Sequence, residues 1–357
     1  MKISLNCKLD TAGSFGFIKP IADSVLVDSI EVFRDSRSLA YPKIRYQLPL
    51  IKTGGITGQF SKFLLMLAKV KPDFDLAIGI YEIPHGLLAF LIGKIKRIPV
   101  IISIIGNPGY EKIRKGLWKK LSHYMYQRIA AVTVTGTNSR QFLITNGISP
   151  ERIYILPNSI DIDYFKPNPI VQKQYDLINL GRLCSEKELD ILLYIVSEIK
   201  KSIPFIKVGI AGKGPDKNKL ELLIKALDLQ HNVELLGFVE NSADFNNAGK
   251  IFVITSSTEG LPRSVIEAMA CGVPAIGSNV GDMADIIVDG ENGYIINDYH
   301  DIDDYTKKIS RLLTDKELYE SFSDRAIKYS RERFSHQAAT RVWEMIFKNI
   351  YGDKKLG

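Results

Sequence analysis

Short apolar runs alternate with longer amphipathic stretches over most of this chain. Runs such as Leu76–Ile80, Val100–Ile105 and Ala131–Thr135 are almost wholly hydrophobic, the pattern of strands buried on both faces. Between them, Phe60–Val70, Gly86–Lys94 and Lys112–Arg128 repeat apolar residues at helical spacing. With a strand at Lys43–Leu48, and another at Met1–Asn6, the first half reads as a parallel α/β sheet. Residues 22–37 show no regular pattern. A second series begins with strand Tyr175–Leu180 and helix Leu189–Lys201. It continues through strand Ile206–Ala211, helix Asn218–Leu227 and strands Val233–Leu235 and Ile251–Ile254. Residues 303–323 and 335–350 read as terminal helices. Three prolines and two asparagines within Pro157–Pro169 break regular structure and separate the two series.

Size and charge narrow this picture. A chain of 357 residues, 45% hydrophobic and 24% charged, suits two globular domains. The three cysteines, Cys7, Cys184 and Cys271, have no metal-ligand spacing and argue for a reducing compartment. Met1–Asn6 turns polar too early for a secretory leader, and Gly86–Gly106 is interrupted by Lys94, Lys96 and Arg97. Residues 1–168 hold 23 Lys and Arg against 12 Asp and Glu, a net +11; residues 169–357 hold 24 against 28, a net −4. Either the first half meets an anionic partner or it is a solvated basic surface.

The densest chemistry lies in Glu259-Gly260-Leu261-Pro262-Arg263-Ser264-Val265-Ile266-Glu267, after the strand Ile251–Ile254. Pro262 suits a helix start and Gly272 its end. A helix N-terminus following a parallel strand offers free amides and a positive dipole to an anion. Glu259 and Glu267 frame it, and carboxylates accept hydrogen bonds from hydroxyls. Phosphate in the middle with sugar on both sides describes a nucleotide sugar. At the other strand end, Gly181 permits close backbone approach, and Arg182 and Lys187 are cations able to neutralise a diphosphate, the alternative for either one being a surface salt bridge.

Other segments carry less. Gly212-Lys213-Gly214-Pro215 lacks phosphate-loop spacing and reads as a tight turn. Gly237-Phe238-Val239 either walls a base pocket or fills core. Gly277–Met283 is a ligand loop or a plain turn. Asp161-Ile162-Asp163 reads as turn chemistry, and His85 sits in a strand-end loop. No zinc pattern and no serine nucleophile elbow occur.

On these motifs the chain resembles the retaining, nucleotide-sugar-dependent glycosyltransferases of the GT-B fold, glycosyltransferase family four-like (glycosyl transferases group 1). The resemblance is carried by Pro157–Asp161, Gly181-Arg182-Leu183 with Lys187, Leu236–Val239, and the pair Glu259 and Glu267. Its strongest span is Ile153–Ile296. It implies two Rossmann-like α/β domains facing across a cleft. Residues 1–166 would bind acceptor, joined by a returning helix at about 335–357, and residues 170–334 would bind the donor. By the same resemblance Arg182 and Lys187 contact the donor diphosphate. Glu259, with Gly260 and Leu261, holds the transferred sugar as the catalytic group. Glu267 holds the ribose, and Phe238 and Val239 lie on the base side. The family's glycine after the lysine is replaced by Glu188. Its N-terminal glycine-rich loop is represented by Thr11–Gly16, and a family His-Gly by Gly106-Asn107.

The implied activity is transfer of a hexose-type sugar from a nucleoside diphosphate donor to a saccharide or lipid-linked saccharide in surface polysaccharide synthesis, with retention. No metal or cofactor is expected, since Arg182, Lys187 and helix amides supply positive potential. The alternatives are a phosphorylase or nucleotide-sugar epimerase on the same fold, and a non-catalytic partner subunit. A nicotinamide-dependent oxidoreductase would need a glycine fingerprint that is missing. The expected setting is the cytoplasm, at the inner face of the plasma membrane. There Lys112–Arg128, with six Lys and Arg beside Trp118 and Tyr124, is either an interfacial helix on anionic lipid or a helix packed on the sheet. No nucleic-acid partner is expected.

Overall fold

The computed structural model describes residues 1–7, 11–37, 39–51, 55–106 and 116–352. The chain divides into two units, Met1–Ser159 with His336–Gly357, and Ile160–Ser335.

In chain order the first unit runs β1 (Lys2–Asn6), α1 (Thr11–Asp23), β2 (Ser29–Phe33), β3 (Ile44–Gln47), α2 (Ile56–Lys69), β4 (Leu76–Ile80), α3 (Leu87–Lys96), β5 (Val100–Ser103), α4 (Leu117–Tyr126), β6 (Ala131–Val134), α5 (Thr137–Thr145) and β7 (Ile153–Ile155). Its described strands form one parallel sheet in the order β3-β2-β1-β4-β5-β6-β7. Every residue of β4, β5 and β6 is buried, which is why these strands read as unbroken apolar runs.

Two expectations for this unit need correction. Thr11–Gly16, expected as a loop, forms the first turns of α1 despite two glycines and an internal Pro20. Packing explains it: Ile18, Ile21 and Ala22 recur on one face and are buried in the core with Ile3, Leu5 and Val32. The patternless stretch 22–37 contains β2, whose Ile30, Val32 and Phe33 are buried. Asn107 and residues 112–115 lie outside the described residues.

The second unit runs β8 (Tyr175–Leu180), α6 (Leu189–Lys200), β9 (Val208–Ala211), α7 (Lys217–Ala226), β10 (Val233–Gly237), α8 (Ser242–Ala248), β11 (Gly249–Ile254), α9 (Arg263–Ala270), β12 (Ala275–Ser278), β13 (Gly293–Ile296), α10 (Ile302–Thr314) and α11 (Lys316–Phe334). Its parallel sheet has the order β10-β9-β8-β11-β12-β13. The chain starts at β8, lays strands outward to one edge, then returns to the other side of β8 with β11. The expected single helix 303–323 is two helices. Asp315 interrupts it by accepting a hydrogen bond from the Leu318 amide, 3.0 Å, as the N-cap of α11. The division between units falls after Ser159, ahead of residue 166, because Ile160 and Phe165 are buried in the second core.

The last helix, α12 (His336–Tyr351), belongs to the first unit. Trp343, Ile346 and Phe347 are fully buried there, and Trp343 meets Phe17 of α1 edge-on at 5.8 Å. Thr340 Oγ1 donates to the Pro20 carbonyl at 3.0 Å, and Ser24 Oγ to Glu344 Oε1 at 2.9 Å. Both contacts tie α12 to α1 or to the turn that follows it.

Candidate active site

The site is built at the carboxyl ends of β8 and β11, the neighbours at which the strand order reverses. Open α/β sheets bind ligands at such a switch point. The loop after β8 carries Gly181, Arg182 and Lys187; the loop after β11 carries Ser256, Glu259, Gly260 and Leu261. Backbone and side-chain hydrogen bonds join the two loops. Ser257 N–H donates to the Glu186 carbonyl at 3.0 Å, and Thr255 Oγ1 lies 3.1 and 2.9 Å from the carbonyls of Lys187 and Glu188. Glu188 holds a left-handed conformation, φ 45°, the backbone region that favours glycine.

The joined loops bring Lys187 and Glu259 together. Lys187 Nζ stands 2.5 Å from Glu259 Oε1, and Ser256 Oγ donates to the same oxygen at 2.7 Å. Both charged side chains are mostly buried, with 20% and 10% of their surface exposed. The Lys187 stem passes the open face of Gly181, where a Cβ would lie 3.7 Å from Lys187 Cε. Arg182 is exposed and forms no ion pair among the described residues. Of these two cations, among the described residues, Lys187 is paired with a carboxylate and Arg182 is not.

Glycines allow the neighbouring loops to close in. A Cβ on Gly212 would sit 1.7 Å from the Gly181 carbonyl oxygen, and one on Gly281 would sit 2.0 Å from that of Glu259. So the turn after β9 packs directly on the Arg182 loop, and the loop after β12 packs directly on Glu259. Asp282 N–H also donates to the Gly260 carbonyl at 2.9 Å. Both glycine-containing segments thus have a demonstrable packing role at this site.

Helix α9 follows Pro262 and ends where Gly272 turns left-handed, φ 78°. Its amino end follows the Glu259 loop, while Leu261 is buried in the core. Glu267 lies further along the helix, with Arg263 Nη2 3.4 Å from its Oε1. Burial pushes the Glu267 carboxyl up to about 7, against the opposing pull of Arg263. Glu267 makes no contact with the Lys187–Glu259 pair among the described residues. The two acids are therefore distinct groups: Glu259 is engaged through Oε1 by Lys187 and Ser256, and Glu267 is desolvated, its carboxyl pushed up to about 7.

Phe238 and Val239, adjacent in sequence, separate in space. Phe238 is 67% exposed, after a left-handed Gly237, whereas Val239 packs against the core. Lys213 Nζ stands 5.5 Å above the Phe238 ring. Sequence reasoning missed Lys213 and Ser256. Lys213 was hidden in a segment read as a plain turn, and no local pattern distinguishes Ser256 from the hydroxyls around it. Asp161 accepts from the amides of Asp163 and Tyr164 at 3.0 and 3.2 Å, the turn role expected of it. In the first unit, His85 is buried in the loop after β4, where its carbonyl accepts from Asn6 Nδ2 at 3.2 Å. No cluster among the described residues has the composition of a metal site.

Two family models match the chain. One, described as Glycosyl transferases group 1, covers residues 161–329, and one, described as Glycosyltransferase Family 4, covers residues 28–164. An uncharacterized glycosyltransferase of Methanocaldococcus jannaschii is 29% identical over 65% of this chain and 61% of its own length. The poly(glycerol-phosphate) alpha-glucosyltransferase of Bacillus subtilis is 30% identical over 73% of this chain and 40% of its own length. The chain thus spans less than two thirds of either relative. Among solved structures, Anabaena HepE in complex with UDP and glucose superposes with TM-score 0.80 at 17% identity, covering 98% of this chain and 99% of that one. That likeness establishes a shared two-domain α/β fold.

Proposed function

From the premise that this chain belongs to the glycosyl transferases group 1, with a family 4 first domain, we propose that it moves a sugar from a nucleoside diphosphate donor to a saccharide or lipid-linked saccharide in surface polysaccharide synthesis, with retention. The observation that carries this reading is the Lys187–Glu259 pair at the switch point of the second sheet, with Arg182 exposed in the same loop as Lys187. The names of relatives support it: one glucosylates a glycerol-phosphate polymer, and the fold neighbour was solved with UDP and glucose.

The chemistry follows from charge. A nucleotide sugar brings a diphosphate that must leave with additional negative charge. Arg182, Lys187 and the amides opening α9 place positive potential where that charge grows, and preorganised groups of this kind lower barriers most. Lys187 reaches the diphosphate by giving up or sharing its bond to Glu259. Glu259, so released, accepts a hydrogen bond from a hydroxyl of the transferred sugar. Glu267 accepts from the ribose, and Phe238 offers its exposed ring to the base. With these cations in place the reaction needs no divalent metal. The enzyme works at the inner face of the plasma membrane, and the basic stretch ending in α4 contacts anionic lipid there. No described helix is long and apolar enough to cross a membrane.

Calorimetry with UDP, and with a panel of nucleotide sugars, tests the assignment. Arg182→Ala and Lys187→Ala should each weaken diphosphate binding about 10- to 100-fold, the worth of one charge-assisted hydrogen bond. Unchanged affinity in both variants would refute it.

A further inference from the structure

The first unit carries a second constellation of cations, far along the chain from the residues assigned above. A surface concavity of about 440 Å³ lies where β5 and β6 begin, lined by Lys94, Arg97, Arg128 and Arg152 together with Val100 and Ala130. It occupies the amino edge of the sheet, opposite the carboxyl edge where open α/β sheets hold substrates. No carboxylate lines it, and none of the four cations forms an ion pair among the described residues.

The Tyr124 ring holds two of these charges in place without neutralising them. The Arg128 guanidinium stands 3.8 Å from the Tyr124 ring centroid, and Lys94 Nζ lies 3.1 Å from the Tyr124 hydroxyl. Arg152 Nη1 donates to the Gln127 carbonyl at 2.7 Å, keeping its other nitrogens available. Arg97 closes α3 in a left-handed conformation, φ 58°, where glycine is favoured. The Tyr124 hydroxyl pKa is drawn below its usual value, first by the Lys94 hydrogen bond and then by the Arg128 charge. The carboxyl ends of α3 and α4 also reach this region, but each contributes only about half a negative charge. Four cations outweigh them. A neighbouring concavity of about 550 Å³ shares Gln127, Arg128 and Arg152, and adds Glu151.

We propose that Lys94, Arg97, Arg128 and Arg152 form a second anion site that binds a phosphate-bearing ligand, distinct from the donor site. Planar guanidinium groups suit the paired oxygens of a phosphate. The ligand is either a soluble phosphate ester or the headgroup of an anionic lipid, and both present the same chemistry.

The test uses the full chain in two arms. Ligand-observed phosphorus NMR with glycerol 3-phosphate measures the soluble source. Co-sedimentation with phosphatidylglycerol against phosphatidylcholine vesicles measures the lipid source. Arg128→Gln with Arg152→Gln should reduce binding in at least one arm by about tenfold or more, with UDP affinity unchanged, while Lys187→Ala leaves that arm intact. Loss in the lipid arm alone identifies a headgroup; loss in the soluble arm alone identifies a free ester. Binding in neither arm, or binding that the double variant retains, overturns the proposal. If circular dichroism shows the double variant unfolded, Lys94→Gln carries the same comparison.

Discussion

Replacing Glu259 by Gln separates binding from turnover at the proposed donor site. At an effective dielectric constant of about 20, unit charges 2.5 Å apart attract by about 7 kcal/mol. Desolvation of two mostly buried groups cancels much of this. What remains for a competing phosphate to overcome is about one charge-assisted hydrogen bond, 1.5–3 kcal/mol. Glu259→Gln removes the carboxylate but keeps the shape, so Lys187 meets an incoming diphosphate without an anionic competitor. Free UDP should therefore bind at least as tightly as to the unaltered protein, and up to about 100-fold tighter if the whole of that competition is removed. Turnover of the nucleotide sugar should fall by about tenfold or more, because the sugar loses its charged partner in the transition state. Lys187→Ala should do the opposite to affinity. Calorimetry with UDP and a coupled assay for released UDP provide both readouts. If Glu259→Gln weakens UDP binding as much as Lys187→Ala does, the carboxylate does not compete for the lysine and the reasoning fails.

Other consequences follow from single residues. The Glu267 carboxyl titrates near 7 in the folded protein and at its ordinary lower value when unfolded, so the native state binds the extra proton between those pH values. Stability present below about pH 4.5 is then lost as pH rises through about 7, by at most about 3 kcal/mol; urea denaturation should show this fall in the parent and not in Glu267→Gln. Glu188→Gly relieves a left-handed residue and should raise the melting temperature, by about 1 kcal/mol in stability; a lower value would mean the conformation is not strained. Gly212→Ala drives a methyl into the Gly181 carbonyl, so it should cost more than about 2 kcal/mol by denaturant titration and also reduce UDP affinity. Phe238→Ala should leave stability unchanged, since the ring is exposed, yet weaken UDP binding by about 1–3 kcal/mol if the base stacks on it.

Legibility in the sequence followed the range of the forces involved. Leu76–Ile80 was readable residue for residue because burial on both faces writes an uninterrupted apolar run. The start of α1 was not, because Gly13, Gly16 and Pro20 oppose a helix locally, and burial of Ile18 and Ile21 against distant strands decides the outcome. The break at Asp315 depends on one capping hydrogen bond inside a continuous amphipathic pattern. At the site, the individual charges of Lys187 and Glu259 were visible, but their contact was not. These residues are 72 apart and meet only because β11 returns to lie beside β8. Phe238 had two readings in sequence, and its exposure favours the one in which its ring is free to meet a ligand.

The route of α12 has a consequence for how this protein comes into being. Synthesis runs from the amino terminus, and domains tend to fold as they emerge from the ribosome. Residues 160–335 form a continuous segment and can close on themselves once translated. Residues 1–159 cannot, since Phe17 and the core around Ile18 and Ile21 wait for Trp343, Ile346 and Phe347. The earlier of these two units in the chain is thus the later to be completed, and must keep an apolar face uncovered while the other unit is made. A fragment ending at residue 159 would carry that face permanently and aggregate. A permuted chain with 336–352 linked ahead of Met1 would restore a self-sufficient first unit.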